Sequence, residues 1–118
     1  MRPVRTLATL ASLTLVSTLA VTDAGAAATG GYVALGDSYS SGTGTRDYLA
    51  DGTSCQRSAR AYPSLIASAR GLDLNFRACS GATTADVTST QLSALSTTTS
   101  RVSISVGGND AGFADVLT

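Results

Sequence analysis

The sequence contains no histidine, no lysine and no glutamate; its eight cations are all arginine and its eight anions all aspartate. Those three missing residues supply most side-chain general bases and every imine-forming amine, so the chain must do without them. An excess of either charge is also lacking, which excludes the electrostatic footprint of a nucleic-acid or acidic-membrane binder. Two cysteines without a histidine leave a tetrahedral zinc site short of ligands unless two aspartates complete it, and no metal is expected. Neither G-x-G-x-x-G nor a P-loop is present, since Gly42-Thr43-Gly44 has no third glycine, so no nucleotide and no other cofactor is expected. What remains is a chain of 118 residues, 43% hydrophobic and 14% charged, a composition that suits one small globular domain.

The first residues have a separate purpose. Arg2 and Arg5 form a basic start, Leu7 to Val21 an apolar run, and Ala24-Gly25-Ala26 or Ala26-Ala27-Ala28 a small-residue cleavage site, the tripartite pattern of a secretory signal peptide over 1–28. The run is shorter than the roughly 20 apolar residues of a spanning helix and contains Ser and Thr, so no stable membrane span is expected once the signal is removed. Cleavage takes away Arg2, Arg5 and Asp23 and leaves six arginines and seven aspartates, a nearly neutral product. Outside the cytoplasm thiols tend to pair, which makes a disulfide between Cys55 and Cys79 the expected state.

In the mature part, 29–118, Tyr32-Val33-Ala34-Leu35 predicts a strand buried on both faces that stops at the turn residues Gly36-Asp37. From Ser40 to Arg60 no apolar period is visible, and a long surface connection is expected. Tyr62, Leu65, Ile66 and Ala69 fall on one helical face, with Pro63 in the first turn and Gly71 beyond the end. Leu72, Leu74, Phe76 and Ala78 alternate like a half-buried strand near a sheet edge. Thr83 or Thr84 can cap a helix carrying Val87, Leu92 and Leu95, with 96–100 as its exit loop. Val102 to Val106 reads as a third strand, ended by Gly107-Gly108-Asn109-Asp110, before Phe113, Val116 and Leu117 start another helical face. Alternating strands and helices imply a parallel sheet in a three-layer α/β/α architecture. Three strands rarely complete such a sheet, so the chain reads as the N-terminal part of a larger domain.

Ligands of open parallel sheets bind beyond the carboxyl ends of the strands, and those ends carry Gly36-Asp37-Ser38, Ser80-Gly81 and Gly107-Gly108-Asn109. Acyl transfer needs a nucleophile, donors for the developing oxyanion, and a base. Ser38 suits the nucleophile, and its backbone N–H, the Gly81 N–H and the Asn109 side-chain amide are candidate oxyanion donors. Asp37 and Asp110 lie close by in sequence, but an ordinary carboxylate is a poor acceptor for a serine proton.

These residues resemble the signature blocks of the SGNH/GDSL hydrolases: GDSYSSG at Gly36 to Gly42, CSGA at Cys79 to Ala82 and GGND at Gly107 to Asp110, in the family's order and spacing. The likeness runs from about Tyr32 to the end of the chain and is nearest the secreted actinomycete esterases and lipases. It implies a flavodoxin-like α/β/α fold, Ser38 as nucleophile and oxyanion donor, and Gly81 and Asn109 as the other donors. It also implies the Cys55–Cys79 pairing, a small-molecule or lipid ester as substrate, and a secreted monomer. The family's fourth block supplies a histidine base, and this chain has no histidine. The chain alone is therefore expected to hydrolyse almost nothing, and the alternative is a non-catalytic extracellular binding module or remnant.

Overall fold

The computed structural model describes residues 31–116, so the export segment read over 1–28, Leu117 and Thr118 lie outside the described residues. Three strands form a parallel sheet: β1 (Gly31–Gly36), β2 (Asp73–Phe76) and β3 (Thr99–Ser105), in the spatial order β2-β1-β3. β1 is central because it alone is apolar throughout. Tyr32, Val33, Ala34 and Leu35 are all at most 3% exposed, as a strand covered on both faces must be. Alternation then divides them. Tyr32 and Ala34 pack with Ala67 and Leu72 on one face, and Val33 and Leu35 with Val87 on the other, so helices flank both sides of the sheet.

Helix α2 (Tyr62–Arg70) has Pro63 in its first turn and ends at Gly71, whose left-handed φ of 61° lets its N–H reach the Ala67 carbonyl. The helix lies where the sequence predicts it, but it turns a different face inward. Pro63 and Ala67 are buried, while Leu65 (56% exposed), Ile66 (38%) and Ala69 point outward. The large Tyr32 ring fills this side of the sheet beside Ala67, and small residues at i and i+4 let the helix approach it closely. β2 is an edge strand among the described residues, in register with β1 from Gly31↔Asp73 to Ala34↔Phe76.

The third helical segment starts at α3 (Thr84–Asp86) with a capping box. The Thr83 hydroxyl accepts the Asp86 N–H, and the Asp86 carboxylate accepts the Thr83 N–H. It then widens into a π-turn over Val87–Gln91 and tightens into a 3₁₀ turn over Leu92–Ala94. Val87 and Gln91 face the sheet, whereas the predicted core positions Leu92 and Leu95 are 41% and 39% exposed. Irregular winding explains the difference, because it shifts the inward face away from a 3.6-residue repeat. β3 begins earlier than its β-branched core suggests, at Thr99, so part of the predicted exit loop joins the ladder. A short helix α4 (Phe113–Val116) follows the GGND turn.

The largest departure is in the segment predicted to be a surface connection. Its start is a helical turn, α1 (Ser38–Ser41), in which Ser40 and Ser41 are fully buried, as is Ser58 further along. Each buried serine is satisfied. Ser40 Oγ meets Tyr62 Oη at 2.9 Å, Ser41 Oγ donates to the Ser38 carbonyl, and the Ser58 N–H donates to the Ser41 carbonyl. Hydropathy cannot register small hydroxyl residues buried in this way. The rest of the loop is largely exposed and is joined to the end of β2 by the Cys55–Cys79 disulfide, S–S 2.01 Å.

Candidate functional site

The strand order 2-1-3 reverses direction between β1 and β3, and a cleft opens at that switch point beyond the carboxyl ends of both strands. Its volume is 420 Å³. Asp37, Ser38, Tyr39 and Thr43 line it from the β1 side, and Ser105, Val106, Gly108, Asn109 and Phe113 from the β3 side. Two of the three predicted site residues, Ser38 and Asn109, thus share one cavity. Gly81 lines a neighbouring cleft of 260 Å³ with Ser80, Asp86 and Gln91.

Ser38 owes its position to the turn before it. Gly36 has φ 122°, and a Cβ there would lie 2.2 Å from the Ser105 carbonyl oxygen, so only glycine lets β1 turn this close to β3. The Asp37 N–H still reaches Ser105 O, at 2.9 Å, and Asp37 then caps α1: its carboxylate accepts the Tyr39 N–H and its carbonyl the Ser41 N–H. Ser38 is the first residue of the helical turn, where an N–H has no intrahelical acceptor. It is half-buried at the cleft wall.

Gly81 follows Cys79, whose N–H donates to the Gly36 carbonyl and so ties the second predicted block to the first. Gly81 has φ 83°, and nothing lies within 4 Å of where its Cβ would be. Its glycine character serves backbone conformation, not clearance. Asn109 Nδ2 donates to the Ala82 carbonyl at 2.8 Å, which fixes the amide's orientation and leaves a second N–H for the cleft it lines. The neighbouring Asp110 is clamped in turn, accepting both the Thr84 hydroxyl (2.7 Å) and the Thr84 N–H. These bonds, the hydroxyl first, hold its carboxyl below the usual carboxylate range, which makes it a weaker base than an ordinary aspartate. Asp86 is lowered likewise by the Thr83 N–H and hydroxyl. No cluster of metal-ligating side chains is found among the described residues, and none of their helices is long and apolar enough to cross a membrane.

Two supporting features escaped the sequence reading. A chain of hydroxyls runs behind the Ser38 turn from Ser40 through Tyr62 and Ser103 to Tyr32, with Tyr32 Oη 2.7 Å from Ser103 Oγ. Gln91, 3% exposed, uses both ends of its amide on Gly36. The one available signal for it was a polar residue four positions after core Val87, on the face that should be apolar.

A family model described as "GDSL-like Lipase/Acylhydrolase family" matches residues 34–118. The chain is 50% identical over its whole length to Lipase 1 of Streptomyces coelicolor and 49% identical to a lipase of Streptomyces rimosus. It covers 47% of each and so spans about half the length of these relatives. Among solved structures, phospholipase A1 from Streptomyces albidoflavus superposes with a TM-score of 0.73 at 54% identity, over 76% of this chain and 39% of that one. The extracellular lipase of Streptomyces rimosus follows at 0.72 and 53%, over 75% of this chain and 38% of that one. With strand-end blocks, parallel sheet and sequence in agreement, the chain belongs to the GDSL-like lipase/acylhydrolase family.

Proposed function

We propose that this chain supplies the nucleophile and the oxyanion donors of a secreted carboxylic-ester hydrolase, within a domain whose N-terminal portion is 29–118 and whose export signal is 1–28. The observation that carries this reading is the sharing of one cleft by Ser38 and Asn109 at the β1/β3 switch point. Ser38 Oγ attacks the ester carbonyl carbon while a base takes its proton. The tetrahedral oxyanion is met by the Ser38 N–H and the second Asn109 Nδ2–H, with the Gly81 N–H reaching it from the adjoining cleft, one residue before the Ala82 carbonyl that Asn109 holds, and it collapses with loss of the alcohol to an acyl-serine that water hydrolyses. The base that the family resemblance implies is a histidine, and these 118 residues contain none. Without it the chain alone turns over almost no ester. The names of the relatives, lipases and a phospholipase A1, favour lipid esters as substrate.

The test is labelling of the natural secreted product by a serine-directed phosphonate, with its intact mass taken without reductant. The expected result is label on Ser38, and a Ser38→Ala protein whose hydrolysis falls by up to about a million-fold. Label on a different serine, or hydrolysis that survives Ser38→Ala, overturns the assignment. A short, folded, unlabelled product identifies a non-catalytic protein instead.

A further inference from the structure

At the carboxyl end of β1, Gly36 has lost one neighbour. β2 ends at Phe76, paired with Ala34; beyond it the Arg77 and Ala78 N–H groups still donate to the Ala34 carbonyl, but Gly36 receives only the Cys79 N–H, on its carbonyl at 3.0 Å. On the other side the β3 ladder continues through the Asp37 N–H, not the Gly36 N–H. The Gly36 N–H is buried and has no strand acceptor, which for a peptide group carries a penalty of a lost hydrogen bond. Gln91 supplies the acceptor instead. Its Oε1 accepts the Gly36 N–H at 2.7 Å, and its Nε2 donates to the Gly36 carbonyl at 2.9 Å. The donor and acceptor of one residue are thus met by a side-chain amide in the manner of an adjoining strand. The π-turn over Val87–Gln91 puts the amide there, and such expansions recur at functional positions.

We propose that Gln91 is a positioning residue for the nucleophile: it clamps the backbone two residues before Ser38 and thereby fixes where the Ser38 Oγ and N–H stand. The inference rests on the reading of Ser38 as nucleophile. Gly36 has no side chain to steady it and sits at a φ few other residues adopt, so its orientation depends on the bonds to its peptide groups. Loosening Gln91 lets the turn rotate about Gly36 and moves the two groups that act only in the transition state, while contacts to the rest of the substrate stay in place.

The experiment uses the full-length secreted enzyme carrying Gln91→Met, Gln91→Glu or Ser38→Ala, with ester hydrolysis followed from pH 5 to 9 and folding checked at each pH. Gln91→Met keeps the volume and removes both bonds. It is expected to lower kcat by roughly 10- to 100-fold with KM within about twofold of wild type. Gln91→Glu separates positioning from packing. While protonated, the introduced carboxyl can accept from the Gly36 N–H and donate to its carbonyl as the amide does; once ionised, it has lost the donor. The pH profile of Gln91→Glu should approach wild type on the acid side and gain a descending limb where that carboxyl ionises.

The ionisable groups around this contact are Asp86, which shares the cleft of Gln91, and Asp37, next to Gly36. Both are present in every variant. A folded Gln91→Met enzyme with wild-type kcat overturns the proposal. So does a Gln91→Glu profile parallel to wild type, and this second readout stands if the Met variant does not fold. Hydrolysis that survives Ser38→Ala overturns the nucleophile itself and is read independently of Gln91.

Discussion

The turn over 36–42 and the loop over 43–57 adjoin in sequence and are anchored by opposite means. In the turn the bonds are buried: Gly36 to Gln91, Asp37 to Ser105, Ser40 to Tyr62 and the Ser58 N–H to Ser41. In the loop they lie nearer solvent. Asp51 pairs with Arg57 at 2.7 Å and Asp47 with Arg60 at 3.0 Å, and the disulfide joins Cys55 to the end of β2. An exposed ion pair contributes about 0–1 kcal/mol, whereas breaking a buried hydrogen bond leaves a partner stranded at about 1–3 kcal/mol. Position is therefore enforced from the interior at Ser38, while the loop is held from its surface, by the disulfide, the ion pairs and the Ser80 N–H on the Cys55 carbonyl.

The sharpest way to break this contrast is to add one methyl group at each of two glycines. Gly36→Ala sets a Cβ 2.2 Å from Ser105 O and 2.8 Å from Ser105 N, against backbone that cannot step aside, at a φ of 122°. Strain and overpacking together should cost at least about 4 kcal/mol in urea unfolding of the secreted protein. Gly52→Ala, in the loop, meets nothing within 4 Å and has only its φ of 73° to bear, at about 1–2 kcal/mol. Similar losses at the two positions would mean that the buried turn is no more tightly constrained than its exposed neighbour.

Removing the tether is the next largest change. Cys55 and Cys79 are 24 residues apart, and closing a loop of that length stabilises by about 3.5 kcal/mol through the entropy of the unfolded chain. The double variant Cys55→Ser/Cys79→Ser should lose roughly that much stability, with a smaller change in kcat than Gln91→Met, because the buried anchors of the turn remain. A kcat loss exceeding that of Gln91→Met would move the disulfide from tether to positioning device.

The parts of this design that could be read from sequence are those with a period or a signature. The apolar run 32–35 announces the central strand, Pro63 and Gly71 bracket α2, and the blocks at 36–42, 79–82 and 107–110 point to the strand ends that build the clefts. What could not be read depends on partners distant in sequence. Ser40 looks like loop material until Tyr62, 22 residues on, accounts for its burial. Gln91 is an unexplained polar residue on the face that Val87 marks as core until the peptide of Gly36, 55 residues earlier, is seen to need both ends of its amide. Leu65 and Ile66 mislead in the other direction, because hydropathy marks them as core while close approach to Tyr32 selects Ala67.

The smallest effect is expected in the exposed loop, and pH isolates it. The Thr53 hydroxyl, then Arg57, hold the Asp51 carboxyl below its usual range. A carboxyl lowered in the folded state stabilises fully above the unfolded value, about 3.9, and that contribution fades as pH falls through the folded value. Amide exchange at Leu49, whose N–H donates to the Arg57 carbonyl, should therefore lose protection in the wild type below about pH 4. In Asp51→Asn the same amide should be slightly less protected at neutral pH and show no such acid step, while the Ser41 and Asp37 amides of the buried turn stay protected in both proteins. An acid step that spread to those two amides would show that the loop's exposed charges reach the nucleophile's turn after all, and that the two regions are one mechanical unit.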